Sequence, residues 1–106
     1  MYIERIKYER TGGFAGMHIS ADFDLGELPE DQKRDLIELF DHLDFGELPE
    51  RLLNNSAIAD GFTYTITAES KKWKHTVTTD DMSMPDELQS LIEMLDRMAK
   101  KRARKR

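Results

Sequence analysis

The side chains able to do chemistry in this chain are three histidines and a set of hydroxyls and carboxylates; 21 acidic residues face 16 basic ones, and there is no cysteine. His42 lies in "DHLD" four residues after Glu38, so an imidazole and a carboxylate share one face if this stretch is helical. Structural zinc takes four ligands, and no two histidines have HExxH spacing. His18 and His75 fall in strand-like stretches and meet only if one sheet brings them together; ordinary strand residues is the plainer reading. Ser20, Ser56, Ser70, Ser83 and Ser90 lack the Gly-x-Ser-x-Gly elbow of a hydrolase nucleophile. Carboxylates are so abundant that any two can be paired on paper, which makes no pair informative. The glycine-rich "TGGFAG" at 11–16 has neither P-loop nor Rossmann spacing, holds no lysine, and runs into a strand rather than a helix N-terminus. These residues point away from an enzyme, with no catalytic set, no metal site and no cofactor.

The elements that position them follow from periodicity. Tyr2 to Glu9 alternates, with Ile6 and Tyr8 on one face and Arg5, Lys7 and Glu9 on the other. Met17, Ile19, Ala21 and Phe23 alternate with His18, Ser20 and Asp22, so residues 2–23 read as a hairpin with a six-residue connection, longer than a tight turn needs. In "LPEDQKRDLIELFDHLDFG", Pro29 suits a first helical position, Glu30 and Asp31 the positive end of the dipole, and Gly46 lies close behind the C-terminus. Leu36, Ile37, Phe40 and Leu43 form its apolar stripe. Residues 47–60 are a long connection with one short helical turn. "GELPE" occurs at 26–30 and 46–50 without matching flanks, which is repeated turn chemistry rather than a duplicated domain. Phe62, Tyr64, Ile66 and Ala68 alternate with threonines, and Trp73, His75 and Val77 continue across a "SKK" turn as a second hairpin. Ser83 and Asp86 have capping-box spacing before a helix reaching about Lys100, with Leu88, Leu91, Ile92, Leu95 and Met98 inward; Met82 and Met84 flank its start as a staple.

The predicted fold is therefore α+β with the order ββαββα: a two-layer domain in which a four-stranded antiparallel sheet of two hairpins carries both amphipathic helices on one face. Residues 1–99 form the single domain and 100–106, "KKRARKR", a basic tail. The formal net charge is −5, but six of the basic residues lie in that tail, leaving ten basic against 21 acidic in the body. An acidic body argues against nucleic acid as partner of the folded surface. The tail reads as solvated, or folded back on the acidic body, or in contact with an anionic surface. "MYIERIKYER" has no apolar run for a signal peptide or membrane span, so the expectation is a soluble protein made in the cytoplasm, retained there or exported without a leader.

The order of motifs resembles the emfourin family, small protein inhibitors of protealysin and other thermolysin-like metallopeptidases. The stretches that carry the resemblance are "ERTGGFAGM" (9–17), "ELPED" (27–31), "DFGELPERL" (44–52), "DGFTYTIT" (60–67), "KHTV" (74–77) and "MPDELQSLIEML" (84–95). The resemblance implies an inhibitor whose partner is a thermolysin-type metallopeptidase, blocked sterically by loops that enter or cover its substrate cleft. It implies a contact built from Thr11, Gly12, Gly13, Phe14, Ala15 and Gly16, and it leaves Asp60, His75 or a backbone carbonyl to approach the partner's zinc. Phe14 then has two readings: an aromatic anchor raised on permissive backbone, or a plug for the end of the core. The other reading of the whole chain is a non-catalytic interaction domain of the same fold with a different partner.

Overall fold

The computed structural model describes residues 2–12, 17–53 and 61–104. Five strands and two helices follow one another as β1 (Arg5–Gly12), β2 (Met17–Asp24), α1 (Glu30–Leu43), β3 (Arg51–Leu52), β4 (Phe62–Glu69), β5 (Lys74–Asp80) and α2 (Asp86–Arg104), with short 3-10 turns at Leu25–Glu27 and Phe45–Glu47. The strand order is β2-β1-β4-β5-β3. The two hairpins thus join through their most buried strands: β1 pairs antiparallel with β4, placing Ile6 opposite Ala68 and Tyr8 opposite Ile66. All four of those side chains are buried, on the face that the helices cover.

The four antiparallel strands agree with the sequence, but the sheet is five-stranded and mixed. β3 runs parallel to β5, with Arg51 opposite Thr78 and Leu52 opposite Thr79. The Thr78 amide donates to the Glu50 carbonyl at 2.8 Å and the Thr79 hydroxyl to the Leu52 carbonyl at 2.9 Å. A two-residue strand is too short for alternation to announce it. The first hairpin is also tighter than expected. β1 extends past Glu9 to pair Gly12 with Met17, so four residues connect the strands rather than six.

Both "GELPE" copies make the same turn. Leu25 and Phe45 are buried, each opens a 3-10 turn, and the Leu28 and Leu48 amides return to the Leu25 and Phe45 carbonyls. The proline within the first copy, Pro29, serves as N-cap of α1 rather than as its first helical residue; its carbonyl accepts from Lys33. The N-cap contributes a carbonyl, so a residue without an N–H serves there. Pro85 does the same for α2, accepting from Gln89, while the Ser83 amide is taken by Asp80, so no capping box forms. The left-handed residue that ends α1 is Asp44, at φ 49°, with Gly46 close behind it; Asp is among the few side chains that tolerate this region.

Apart from Ile37, which is only partly buried, the helix stripes bury as read, with Leu36, Phe40 and Leu43 from α1 and Leu88, Leu91, Ile92, Leu95 and Met98 from α2. Each such side chain contributes roughly 1.5–3 kcal/mol relative to exposure, which stabilises helices that would not persist singly. Phe40 meets Phe45 edge-on at 4.8 Å, and Phe45 meets His75 at 5.6 Å, linking α1 to β5 through a row of rings. Met84 packs against the core, but Met82 is 62% exposed, so the expected staple has only one arm. α2 continues through the basic run to Arg104, because Lys and Arg are good helix formers and favour the negative end of the dipole. Lys100 bridges Asp96 one turn back at 2.9 Å. Arg102 folds back onto the body: its guanidinium lies 4.6 Å from the centre of the Phe23 ring and donates to the Asp22 carbonyl on the outer edge of β2. No described helix is long and apolar enough to cross a membrane.

Candidate functional site at the loop end of the sheet

Antiparallel pairing gathers several chain reversals at one end of the sheet. Gly12 ends β1 opposite both Met17 of β2 and Phe62 of β4, and Asp80 ends β5 opposite Thr63. The strand ends at Gly12, Met17, Phe62 and Asp80 therefore lie side by side. Of the expected contact residues, Gly13, Phe14, Ala15, Gly16 and Asp60 lie outside the described residues; Thr11 and Gly12 lie within them. Thr11 is half-buried on the sheet face away from the helices, between His18 and Thr63. Gly12 has φ +104°, and a Cβ added there would stand 2.7 Å from the Gly61 carbonyl oxygen. Glycine is required twice over, by the dihedral and by the approach of the neighbouring backbone.

A set of side chains missed by the sequence reading holds this end in place. Asp81 accepts from the Phe62 amide at 2.9 Å through one carboxylate oxygen and from the Tyr64 hydroxyl at 2.7 Å through the other. It thereby ties the turn after β5 to the first amide of β4. Arg10, on the same face as Tyr8, places its guanidinium 4.7 Å from the centre of the Phe62 ring and 3.3 Å from Asp96 of α2. The Arg10 and Asp96 side chains are only 13% and 14% exposed. Asp96 also accepts from the Tyr8 hydroxyl at 2.7 Å. The Arg10 Nε is buried with no partner among the described residues. Period-two alternation carried two residues past Tyr8 would have put Arg10 on the helix-covered face, where a cation needs a partner. Nothing local in the sequence names Asp96 as that partner.

The electrostatics follow from this packing. Burial first, then the hydrogen bond to Asp96, push the Tyr8 hydroxyl far above its ordinary value. Burial and Asp81 do the same to Tyr64. Burial works to raise Asp96, but Lys100, the Tyr8 hydroxyl and Arg10 outweigh it and hold the carboxyl below its ordinary range. Tyr8 and Tyr64 therefore remain donors and Asp96 a charged acceptor. Together these groups hold strand ends and a helix in register.

The histidines do not converge. His18, at the β2 edge, faces away from the helices and pairs with Glu9 at 3.0 Å. His75 faces the helices near the opposite end of the sheet, where its Nε2–H donates to the Leu48 carbonyl at 2.8 Å. It is held there rather than presented at the loop end. His42 and Glu38 line a groove between α1 and α2 with Asp35 and Arg97. Among the described residues no three His, Asp or Glu side chains are grouped to hold a metal ion.

A family model described as Emfourin matches residues 8–96. Among solved structures the chain is similar to emfourin (M4in) from Serratia proteamaculans, an M4 family peptidase inhibitor, with 17% identity, a TM-score of 0.47, and coverage of 85% of this chain and 86% of that one. No curated protein sequence matches.

Proposed function

Because the chain belongs to the emfourin family, its matched segment running from β1 into α2, we propose that it is a protein inhibitor of a thermolysin-like zinc metallopeptidase and blocks that enzyme's substrate cleft sterically. The observation that carries this reading is the match over residues 8–96, which takes in every stretch on which the sequence resemblance rests. The contact is made by Thr11, Gly12, Gly13, Phe14, Ala15, Gly16 and Asp60. Support comes from the rigidity of the strand ends beside them: Gly12 against the Gly61 carbonyl, and Asp81 on the Phe62 amide. Backbone held in place before binding loses little ordering entropy on association. The zinc belongs to the partner, and the inhibitor carries no cofactor of its own. Its negative charge favours encounter with a basic rim on the enzyme.

The test is a titration of the purified protein into thermolysin-like peptidases, following peptide cleavage, with Phe14→Ala alongside. Competitive inhibition that weakens in a still-folded Phe14→Ala supports both the function and the loop. Inhibition unchanged by the substitution keeps the function and moves the contact off Phe14. No inhibition across a panel overturns the reading in favour of an interaction domain with another partner.

A further inference from the structure

Resting on that inhibitor reading, we propose that the turn from Asp80 to Ser83 is a further contact segment of the same edge, with Met82 as its apolar anchor against the peptidase. Among the described residues the large apolar side chains left exposed are Tyr2 and Met82. Tyr2 precedes β1, at the end of the sheet away from the loops, whereas Met82 follows β5 at the loop end. A single exposed apolar residue is ordinary on a protein surface. What sets Met82 apart is the backbone that carries it. One carboxylate oxygen of Asp80 accepts from the Met82 amide at 3.0 Å and from the Ser83 amide at 2.8 Å. The next residue, Asp81, is fixed on the Phe62 amide and the Tyr64 hydroxyl. Met84, two residues on, packs against the core.

The turn is thus pinned on both sides of a side chain that is left in water. The same Asp81 bond joins it to Phe62, the residue paired with Gly12, so the turn is continuous through hydrogen bonds with the segment already assigned to the contact. An unbranched thioether on rigid backbone suits an apolar depression of imperfectly known shape, because methionine adapts its three torsions while the chain around it stays fixed. The partner surface it fits is apolar, beside the region that the 11–16 loop covers.

The experiment compares wild type, Met82→Asp, Met82→Leu and Phe14→Ala as inhibitors of a thermolysin-like peptidase, with circular dichroism and thermal unfolding on each. The expected result is about tenfold or greater loss of potency for Met82→Asp, little change for Met82→Leu, and native unfolding curves for both. A second readout is oxidation of Met82 by hydrogen peroxide, followed by peptide mass spectrometry, which the peptidase should slow severalfold. A wild-type inhibitor whose Met82→Asp variant is equally potent, or whose Met82 oxidises at the same rate in the complex, overturns this inference and leaves the inhibitor reading intact. Should Met82→Asp fail to fold, Met82→Gln and the oxidation rate decide. A wild type that inhibits no such peptidase overturns both.

Discussion

The carbonyl oxygen of Gly61 occupies the space into which any side chain on Gly12 would begin, 2.7 Å from an added Cβ. Since Gly12 also has φ +104°, Gly12→Ala meets a strained dihedral and an immovable backbone atom together. The expected cost is about 1–3 kcal/mol from the backbone strain, with more from the displaced carbonyl. Gly26→Ala is the control: its nearest atom is a side-chain oxygen of Asp24 at 3.3 Å, and it should cost less than about 1 kcal/mol. Chemical denaturation of the two variants checks the difference.

Asp81 and Tyr64 act as one device, so their substitutions should not add. Asp81→Ala frees the Phe62 amide and the Tyr64 hydroxyl together, whereas Tyr64→Phe removes one of these bonds. Each is expected to cost about 1 kcal/mol. A double-mutant cycle should return a coupling of at least roughly 0.5 kcal/mol. Strict additivity would show that the bond contributes nothing measurable.

Stability should fall at both ends of the pH scale for separate reasons. Asp96 has a folded value below its ordinary 3.8, so its contribution is complete above that value and is lost as pH falls through the lower one. Asp96→Asn should therefore be less stable near neutrality and show a flatter acid limb. Tyr8 and Tyr64 are raised above 10.0, so their contribution is complete below that value and is lost as pH rises beyond it. Tyr8→Phe and Tyr64→Phe should flatten the alkaline limb. Denaturation midpoints against pH, with tyrosinate absorbance, check both.

Phe45→Ala should be among the most damaging single changes. Phe45 is fully buried between Phe40 and His75 and opens the turn that redirects the chain from α1 to β3. The expected loss is about 3–5 kcal/mol, a large share of a small domain's stability. The thermal midpoint should drop by many degrees.

Much of the fold is legible because its signals are local. Tyr64, Ile66 and Ala68 alternate, Leu88, Leu91, Ile92 and Leu95 recur at helical spacing, and the repeated "GELPE" makes one turn twice. Each depends only on neighbours within a few residues. The order in which the hairpins join is different, since Tyr8 and Ile66 reveal their partnership only in the folded sheet. The site is less legible for the same reason. Arg10 and Asp96 are 86 positions apart, and Asp81 reaches back 19 to Phe62. Glycine 12 announces permissive backbone, but not the carbonyl it must accommodate.

The strand order also sets a schedule. β1 lies inside the sheet, yet its partner β4 begins some fifty residues further along the chain. At ribosomal speeds that delay is about 3–10 s, far longer than the microseconds in which a hairpin closes. For that interval the nascent N-terminal hairpin has two bare edges and no helix α2 to cover its apolar face. The first hairpin of the domain is thus the segment that waits longest for its neighbours, and His18, Ser20 and Asp22 put polar side chains along its outer strand meanwhile.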